Sequence, residues 1–115
     1  MSMDSSVWSS RPFADSDLPA IGDWRQYPGT WAHETDEWQV VVLFSNDTED
    51  DCPDFARNLL LDAKHVAYVT LEPIGADDSG YNFLEKVIRQ LAEITNGVWV
   101  DGLGTHAYTA REGSF

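Results

Sequence analysis

The sequence predicts a small domain of the α/β (or α+β) class, a two- or three-layer sandwich built on a β-α-β-α-β core. Apolar runs at residues 38–44 and 66–71 predict strands, and two further stretches carry apolar side chains at helical spacing. At 115 residues, 43% of them hydrophobic, the chain is long enough for one modest core. We expect a single domain over 1–115, with an irregular N-terminal arm at 1–36 and an α/β core at 37–110.

The arm is predicted from its mixed composition. Serine, aspartate and proline are frequent there, and tryptophans are interspersed among them, a density typical of segments that cap a core. We expect the first few residues to be mobile and one short strand to form around 29–32. The run at 38–44 then follows without alternation, which predicts a central strand covered on both faces.

The first helix is predicted from Pro53 onward, since proline suits a first helical turn. Ala56, Leu59, Leu60 and Ala63 follow at helical spacing over about three turns, and the strand at 66–71 comes next.

The second helix is predicted to open at the capping pair Asn82 and Glu85 and to stop at Asn96-Gly97. A short strand at 98–100 follows. The turn at 101–104 and a possible edge strand at 105–109 would complete a C-terminal hairpin. Because strand–helix–strand units favour parallel strands, we expect 38–44, 66–71 and 98–100 to be parallel; a ferredoxin-like mixed sheet is the alternative.

Charge is the most informative feature for function. Twenty acidic residues stand against seven basic ones, giving a formal net charge of −13. This charge excludes DNA, RNA and anionic membrane surfaces as partners, and favours a protein with a basic surface. No run long enough to span a membrane and no signal peptide are visible. Cys52, the single cysteine, suits a reducing compartment, so we expect a cytoplasmic protein.

The acidic residues concentrate in the loops that would follow the three predicted strands. If those strands are parallel, the loops emerge at one edge of the sheet, where ligands of open α/β sheets bind. The candidate partner-binding residues are Asp47, Glu49, Asp50, Asp51, Asp54, Asp77, Asp78 and Asp101. Two other interpretations stay open: local turns and helix caps, with the charge serving solubility, or a halophilic proteome.

Catalytic and metal sites are not predicted. An EF-hand loop starting at Asp47 would need glycine and glutamate where Cys52 and Asn58 stand. One cysteine and three scattered histidines show no zinc spacing, and the glycines after Asp101 precede no predicted helix. We therefore expect no catalytic residues, no metal, no cofactor and no enzymatic activity.

Residues 88–101, Ile-Arg-Gln-Leu-Ala-Glu-Ile-Thr-Asn-Gly-Val-Trp-Val-Asp, carry one resemblance. This stretch resembles the closing helix–turn–strand of small immunity proteins encoded beside bacterial polymorphic and contact-delivered toxins. The resemblance implies an acidic cytoplasmic antitoxin, active in bacterial competition, that binds a cognate toxin and occludes its active site. It leaves the toxin and the oligomeric state unspecified.

Two other functions are compatible with the sequence. An acidic DNA mimic of the anti-restriction or anti-CRISPR type would need carboxylates spaced along an extended face. A small-ligand-binding α/β domain would use the same sheet edge. Trp24, Tyr27, Trp31 and Trp38 would cap the core or, where exposed beside the acidic loops, anchor a partner. Trp99 is predicted to be in the core.

Overall fold

The computed structural model describes residues 3–46, 52–72, 77–101 and 106–109. Within these residues the protein is a mixed α/β domain with a seven-stranded sheet and one long helix. The strands are β1 (Met3–Ser9), β2 (Arg25–Tyr27), β3 (Thr30–Glu34), β4 (Gln39–Ser45), β5 (His65–Glu72), β6 (Val98–Val100) and β7 (Ala107–Thr109). The helices are the single turn α1 (Asp54–Arg57) and the long α2 (Asp78–Thr95).

The N-terminal strand β1 lies in the middle of the sheet. The strand order is β2-β3-β4-β5-β1-β6-β7, and every neighbouring pair is antiparallel. Val7 pairs with Ala67 on β5 and with Trp99 on β6. The expected irregular arm at 1–36 is therefore wrong, because three of the seven strands lie within it. The short strand expected at 29–32 is present as part of β3.

Strand direction differs from the prediction at one strand. β1 runs antiparallel to both β5 and β6, so β5 and β6 point the same way with β1 inserted between them. β4 runs antiparallel to β5, so the expectation of three parallel strands is wrong for β4. The reason is the connection: the described part of the β4–β5 connection, residues 52–64, contains one helical turn, whereas the 18-residue α2 makes the crossover to β6.

The long helix α2 is fixed by its two ends. The Asp77 side chain caps the first turn by accepting from the backbone N–H groups of Ser79 and Gly80, so the helix opens before the predicted Asn82–Glu85 pair. Asn96 ends the helix in the left-handed conformation with φ 52°, and the Gly97 N–H donates to the Ala92 carbonyl at 2.9 Å, which confirms the predicted stop.

The main core lies between α2 and one face of the sheet, called here the helix-covered face. Leu84, Val87, Ile88 and Leu91 of α2 are fully buried, which confirms the helical period predicted for this segment. Trp99 is 0% exposed, which confirms its predicted place in the core. The sheet contributes Val7, Val40, Val42, Ala67, Val69, Leu71 and Trp99.

The opposite face of the sheet is only partly covered. The segment 52–63 packs Cys52, Ala56 and Ala63 against Trp8, Val66, Val98 and Val100, on the half formed by β1, β5 and β6. Helix α1 stops after one turn instead of three, because the chain turns to bury Ala63 and to pair the Lys64 N–H with the Ser9 carbonyl at 3.1 Å. Leu59, expected on the buried side of that helix, is 48% exposed, and its neighbour Leu61 is 82% exposed.

An ion pair fixes the segment between β1 and β2. Arg11 donates two hydrogen bonds of 3.0 Å to Asp17, whose carboxylate also accepts from the Ala14 N–H at 2.9 Å. Asp17 is buried, and the Arg11 side chain is the main cause of its lowered pKa. The segment is therefore held by charge-assisted hydrogen bonds rather than by apolar contacts alone.

Replacing Asp17 with asparagine should destabilise the protein by about 1–2 kcal/mol at neutral pH, because a buried charged acceptor is lost. Since the folded-state pKa is lowered, this contribution is present above the ordinary aspartate pKa and disappears as pH falls through the folded value. Urea unfolding of both proteins at pH 7 and at low pH measures it. Glu85→Gln, which breaks the more exposed Glu85–Arg89 pair on α2, is the control and should cost about 0.3–0.5 kcal/mol. Equal losses in the two variants would contradict the prediction.

Candidate functional site

Six carboxylates lie at one edge of the sheet, which we call the acidic edge. The register aligns Glu34 with Gln39 and Gln39 with Glu72, so β3 and β5 end where β4 begins. The turn between β3 and β4 and the start of α2 lie at the same edge. The acidic edge comprises Glu34, Asp36, Glu37, Glu72, Asp77 and Asp78.

Hydrogen bonds connect the β3–β4 turn to the start of α2. The Trp38 indole donates to the Ser79 hydroxyl at 3.1 Å, and that hydroxyl donates to Asp77. The Ser79 hydroxyl is the main cause of the lowered pKa of Asp77, with a further contribution from the Gly80 N–H. Asp77 therefore stays ionised at neutral pH, and the acidic edge is rigidly supported at this point.

The turn between β3 and β4, which is held by the Thr35 hydroxyl, carries two further carboxylates of the acidic edge, Asp36 and Glu37. Thr35 Oγ1 accepts from the backbone N–H groups of Glu37 and Trp38 at 3.2 and 3.0 Å, and its hydroxyl donates to the Trp38 carbonyl. Asp36 and Glu37 are exposed as a result. Sequence reasoning missed Glu34, Asp36 and Glu37 because it followed only loops after predicted strands, and this turn precedes one.

The predicted partner-binding residues do not all meet. Asp77 and Asp78 are exposed at the acidic edge. Asp101 reaches the same edge but is buried, and it holds the turn to β7 through the His106 N–H at 3.4 Å. Asp54 opens α1 on the face opposite α2. The three parallel strands from which a single rim was predicted are not formed, because β4 runs opposite to β5.

The strand end that precedes the first acidic loop is remote from the acidic edge. Asp47, Glu49, Asp50 and Asp51 lie outside the described residues, and β4 enters that loop at Ser45, which pairs with Val66 at the end of the sheet remote from Glu72. The antiparallel direction of β4 is the reason.

An aromatic cluster lies behind the acidic edge, on the helix-covered face. The His33 ring stacks on Phe83 at 4.3 Å between centroids, and Trp24 and Trp38 pack around the pair. Trp38 is 9% exposed, so it belongs to the core, while Trp24 and Trp31 are half-buried. Tyr27, in contrast, is 39% exposed on the opposite face. Of the four aromatics left open by the sequence, Tyr27 is thus the one presented to solvent.

An open cleft of about 500 Å³ adjoins the acidic edge and is lined by Asp23, Trp24, Arg25, Ala32 and Glu34. The Tyr27 hydroxyl donates to Glu34 at 2.7 Å, and Arg25 lies 3.9 Å from the same carboxylate. Arg25 is the only lysine or arginine within the described strands. Two carboxylates against one guanidinium make this cleft suited to a further basic side chain.

Cys52 is not activated for chemistry. The thiol is buried, and burial is the main cause of its raised pKa, so the thiolate is disfavoured at neutral pH.

Two further findings concern the described residues alone. Within 3–46, 52–72, 77–101 and 106–109, no three histidine, cysteine, aspartate or glutamate side chains are grouped to hold a metal ion. No helix in the same ranges combines the length and apolar character that crossing a membrane requires.

Fold and site together define a mixed α/β domain with a strongly acidic sheet edge. Comparison with protein-family models, curated proteins and solved structures gave no match.

Proposed function

We propose that this protein is a non-catalytic inhibitor that binds a basic partner protein, as the immunity proteins it resembles bind their toxins. The observation that carries the proposal is the acidic edge, where six carboxylates are brought together from the end of β3, the β3–β4 turn, the end of β5 and the start of α2 with its cap. The resemblance at residues 88–101 adds the class of partner, a toxin enzyme whose active site is occluded.

Electrostatic steering is the physical advantage of such an edge. A net charge of −13 on 115 residues gives a field that reaches beyond contact distance at low salt. Complementary charge raises association rates from roughly 10⁵–10⁶ toward 10⁸–10⁹ M⁻¹s⁻¹. Rapid capture matters for an inhibitor that must bind its target before the target acts.

The antiparallel sheet removes the argument for a small-ligand domain. That alternative relied on three parallel strands ending at one edge, which is the usual ligand-binding edge of open α/β sheets. β4 ends at the other edge, so the strand arrangement on which the alternative depended is not formed.

Affinity capture from the native cell lysate, at low and at high salt with mass spectrometry of the bound proteins, tests the proposal. We expect one stoichiometric basic enzyme, bound more weakly at high salt, whose activity falls when the purified protein is added. DNA-processing proteins released by added DNA would overturn it in favour of DNA mimicry. If no partner is captured at either salt concentration, the charge serves solubility and the proposed function is overturned as well.

Reversing two exposed charges at the acidic edge, Asp36→Lys with Asp78→Lys, should slow association with the captured partner about tenfold or more at low salt and flatten its salt dependence. Stopped-flow or surface plasmon resonance measures the rate. Asp62→Lys with Glu93→Lys is the matched control, because both residues are exposed away from the acidic edge and the net charge changes equally.

A third variant tests the first acidic loop. Asp50→Lys with Asp51→Lys reverses charge in the loop that β4 enters at the other end of the sheet. We expect a smaller effect there than at the acidic edge. Equal slowing in all three double variants would mean that net charge alone, and no particular edge, steers the partner.

A further inference from the structure

One face of the strands β2, β3 and β4 is open and apolar at its centre. Residues that pair directly in a sheet share a face, so Arg25, Ala32 and Val41 form one row across these strands. Tyr27 pairs with Thr30 at the next row, and Leu43 pairs with Tyr68 of β5. We call this surface the open face and define it by Tyr27, Val41 and Leu43; Ala32, between them, is buried.

Exposure follows strand alternation on β4. Val40 and Val42 are fully buried under α2, whereas Val41 is half-buried and Leu43 is 40% exposed. Segment 52–63, which covers the rest of this side of the sheet, packs on β1, β5 and β6. Among the described residues, five large apolar side chains are markedly exposed. Two of them, Tyr27 and Leu43, lie on the open face, Leu59 and Leu61 lie in segment 52–63, and Ile94 lies on α2.

The composition of β4 agrees with a surface that is covered in use. Its uninterrupted run Val40-Val41-Val42-Leu43-Phe44 is typical of strands buried on both faces. In the described residues α2 covers one face only. Leucine and valine at solvent-facing strand positions do not increase solubility. They are expected where the surface is buried by a binding partner.

Charge determines which occupant fits. At the same end of the sheet as the acidic edge, Glu34 and Glu72 lie on the same side as Val41, and Asp4 aligns with Thr70 beside it. A second copy would bring these carboxylates against their own equivalents on a chain of net charge −13. A partner surface with an apolar centre flanked by lysine or arginine would contact the apolar residues of the open face and pair with the carboxylates beside them.

We propose that the open face is the docking surface of this protein, and that its partner presents apolar side chains flanked by basic ones. A basic side chain of the partner enters the cleft between Asp23 and Glu34, and apolar side chains cover Tyr27, Val41 and Leu43. This proposal rests on the proposed inhibitory function and adds the surface and its chemistry. The acidic edge steers the partner, and the open face retains it.

Two synthetic peptides of equal length and equal positive charge test the proposal by NMR titration. One alternates lysine with leucine and tryptophan, and the other alternates lysine with serine. We expect the apolar peptide to bind at least about tenfold more tightly, which corresponds to about 1.4 kcal/mol, and to shift the amide signals of the open face. Equal binding of both peptides, or shifts confined to α2, would overturn the proposal.

Matched variants locate the contact. Leu43→Gln should remove the preference for the apolar peptide, while Ile94→Gln, at a comparably exposed position on α2, should keep it. Tyr27→Ser is a second variant on the open face, so the test does not depend on one substitution folding well. Equal behaviour of Leu43→Gln and Ile94→Gln would contradict the proposal.

The results of lysate capture and peptide titration distinguish failure of the docking-surface proposal from failure of the proposed inhibitory function. If lysate capture finds no partner but the peptides discriminate, the open face stands and the inhibitor proposal fails. If a partner is captured and its dissociation rate is the same for wild type and Leu43→Gln, the function stands and the open face is wrong. Sedimentation showing a wild-type dimer that Leu43→Gln dissociates would assign the surface to a second copy and overturn the proposal.

Discussion

Removal of the N-terminal strand Met3–Ser9 is expected to abolish cooperative folding. β1 pairs along seven residues with β5 and along three with β6, so its loss divides the sheet between those two strands. It also removes Val7 and Trp8, which fill the cores on opposite faces. Circular dichroism during urea titration should show no sigmoidal transition for the truncated protein. A truncated protein that unfolds cooperatively near the wild-type midpoint would show that residues 3–9 are a dispensable arm.

A single substitution in the same strand gives a graded test. Trp8 is 1% exposed and lies edge-on to Tyr68 at 6.5 Å between ring centroids. Trp8→Ala should cost about 3–5 kcal/mol, a large share of the total stability of a domain of this size. Trp8→Phe keeps most of the buried volume and should cost clearly less. Equal losses would point to the indole hydrogen bond to Ser6, not to packing, as the source of stability.

The second large effect is expected at Gly97, where α2 turns into β6. Gly97 is buried, and a β-carbon there would collide with the backbone carbonyl of Trp8 and lie 2.9 Å from Thr95 Oγ1. A backbone oxygen in the central strand cannot move aside as a flexible side chain would. Gly97→Ala should therefore cost about 2–3 kcal/mol in urea unfolding, the range for overpacked sites.

The neighbouring residue supplies the control for that substitution. Asn96 is in the left-handed conformation that glycine adopts without strain, so Asn96→Gly should leave stability nearly unchanged. If both variants lose the same stability, the turn itself is fragile and the contact with Trp8 is not the cause.

Elements with strong local signals were predictable from the sequence. β4 and β5 lie within one residue of the apolar runs at 38–44 and 66–71, and α2 shows the predicted period. The Glu85–Arg89 ion pair at 3.0 Å joins residues four apart on α2, a spacing that favours the helix locally. In these elements the local pattern and the tertiary contacts favour the same structure.

β1 lacked such a signal. Its sequence Met-Asp-Ser-Ser-Val-Trp-Ser carries polar residues at most positions, which is typical of a loop or tail. Its stability as a strand comes from pairing with β5 and β6, residues far along the chain, and from burying Val7 and Trp8 on opposite faces. Single-sequence patterns contain local propensity only, so a strand stabilised by distant partners is missed.

The acidic edge was predictable only in part for a related reason. Asp77 and Asp78 were identified because β5 and β6 point the same way, as the crossover rule expects. Glu34, Asp36 and Glu37 were missed, and the first acidic loop was placed at this edge, because both depend on the direction of β4. The direction of a strand depends on how the connections on either side of it pack, and this packing cannot be inferred from amino-acid composition.

The central position of β1 also sets the order of events during synthesis. Val7 is synthesised before its sheet neighbours Ala67 and Trp99, which follow 60 and 92 residues later along the chain. At about 5–20 residues per second, β1 waits roughly 5–20 s on the ribosome before β6 exists to pair with it. The pairing of β1 with β6 can therefore begin only after Val98–Val100 has been made, and such long-range contacts favour slow folding. The sheet around β1 is thus completed late, although β1 itself is the earliest of its strands along the chain.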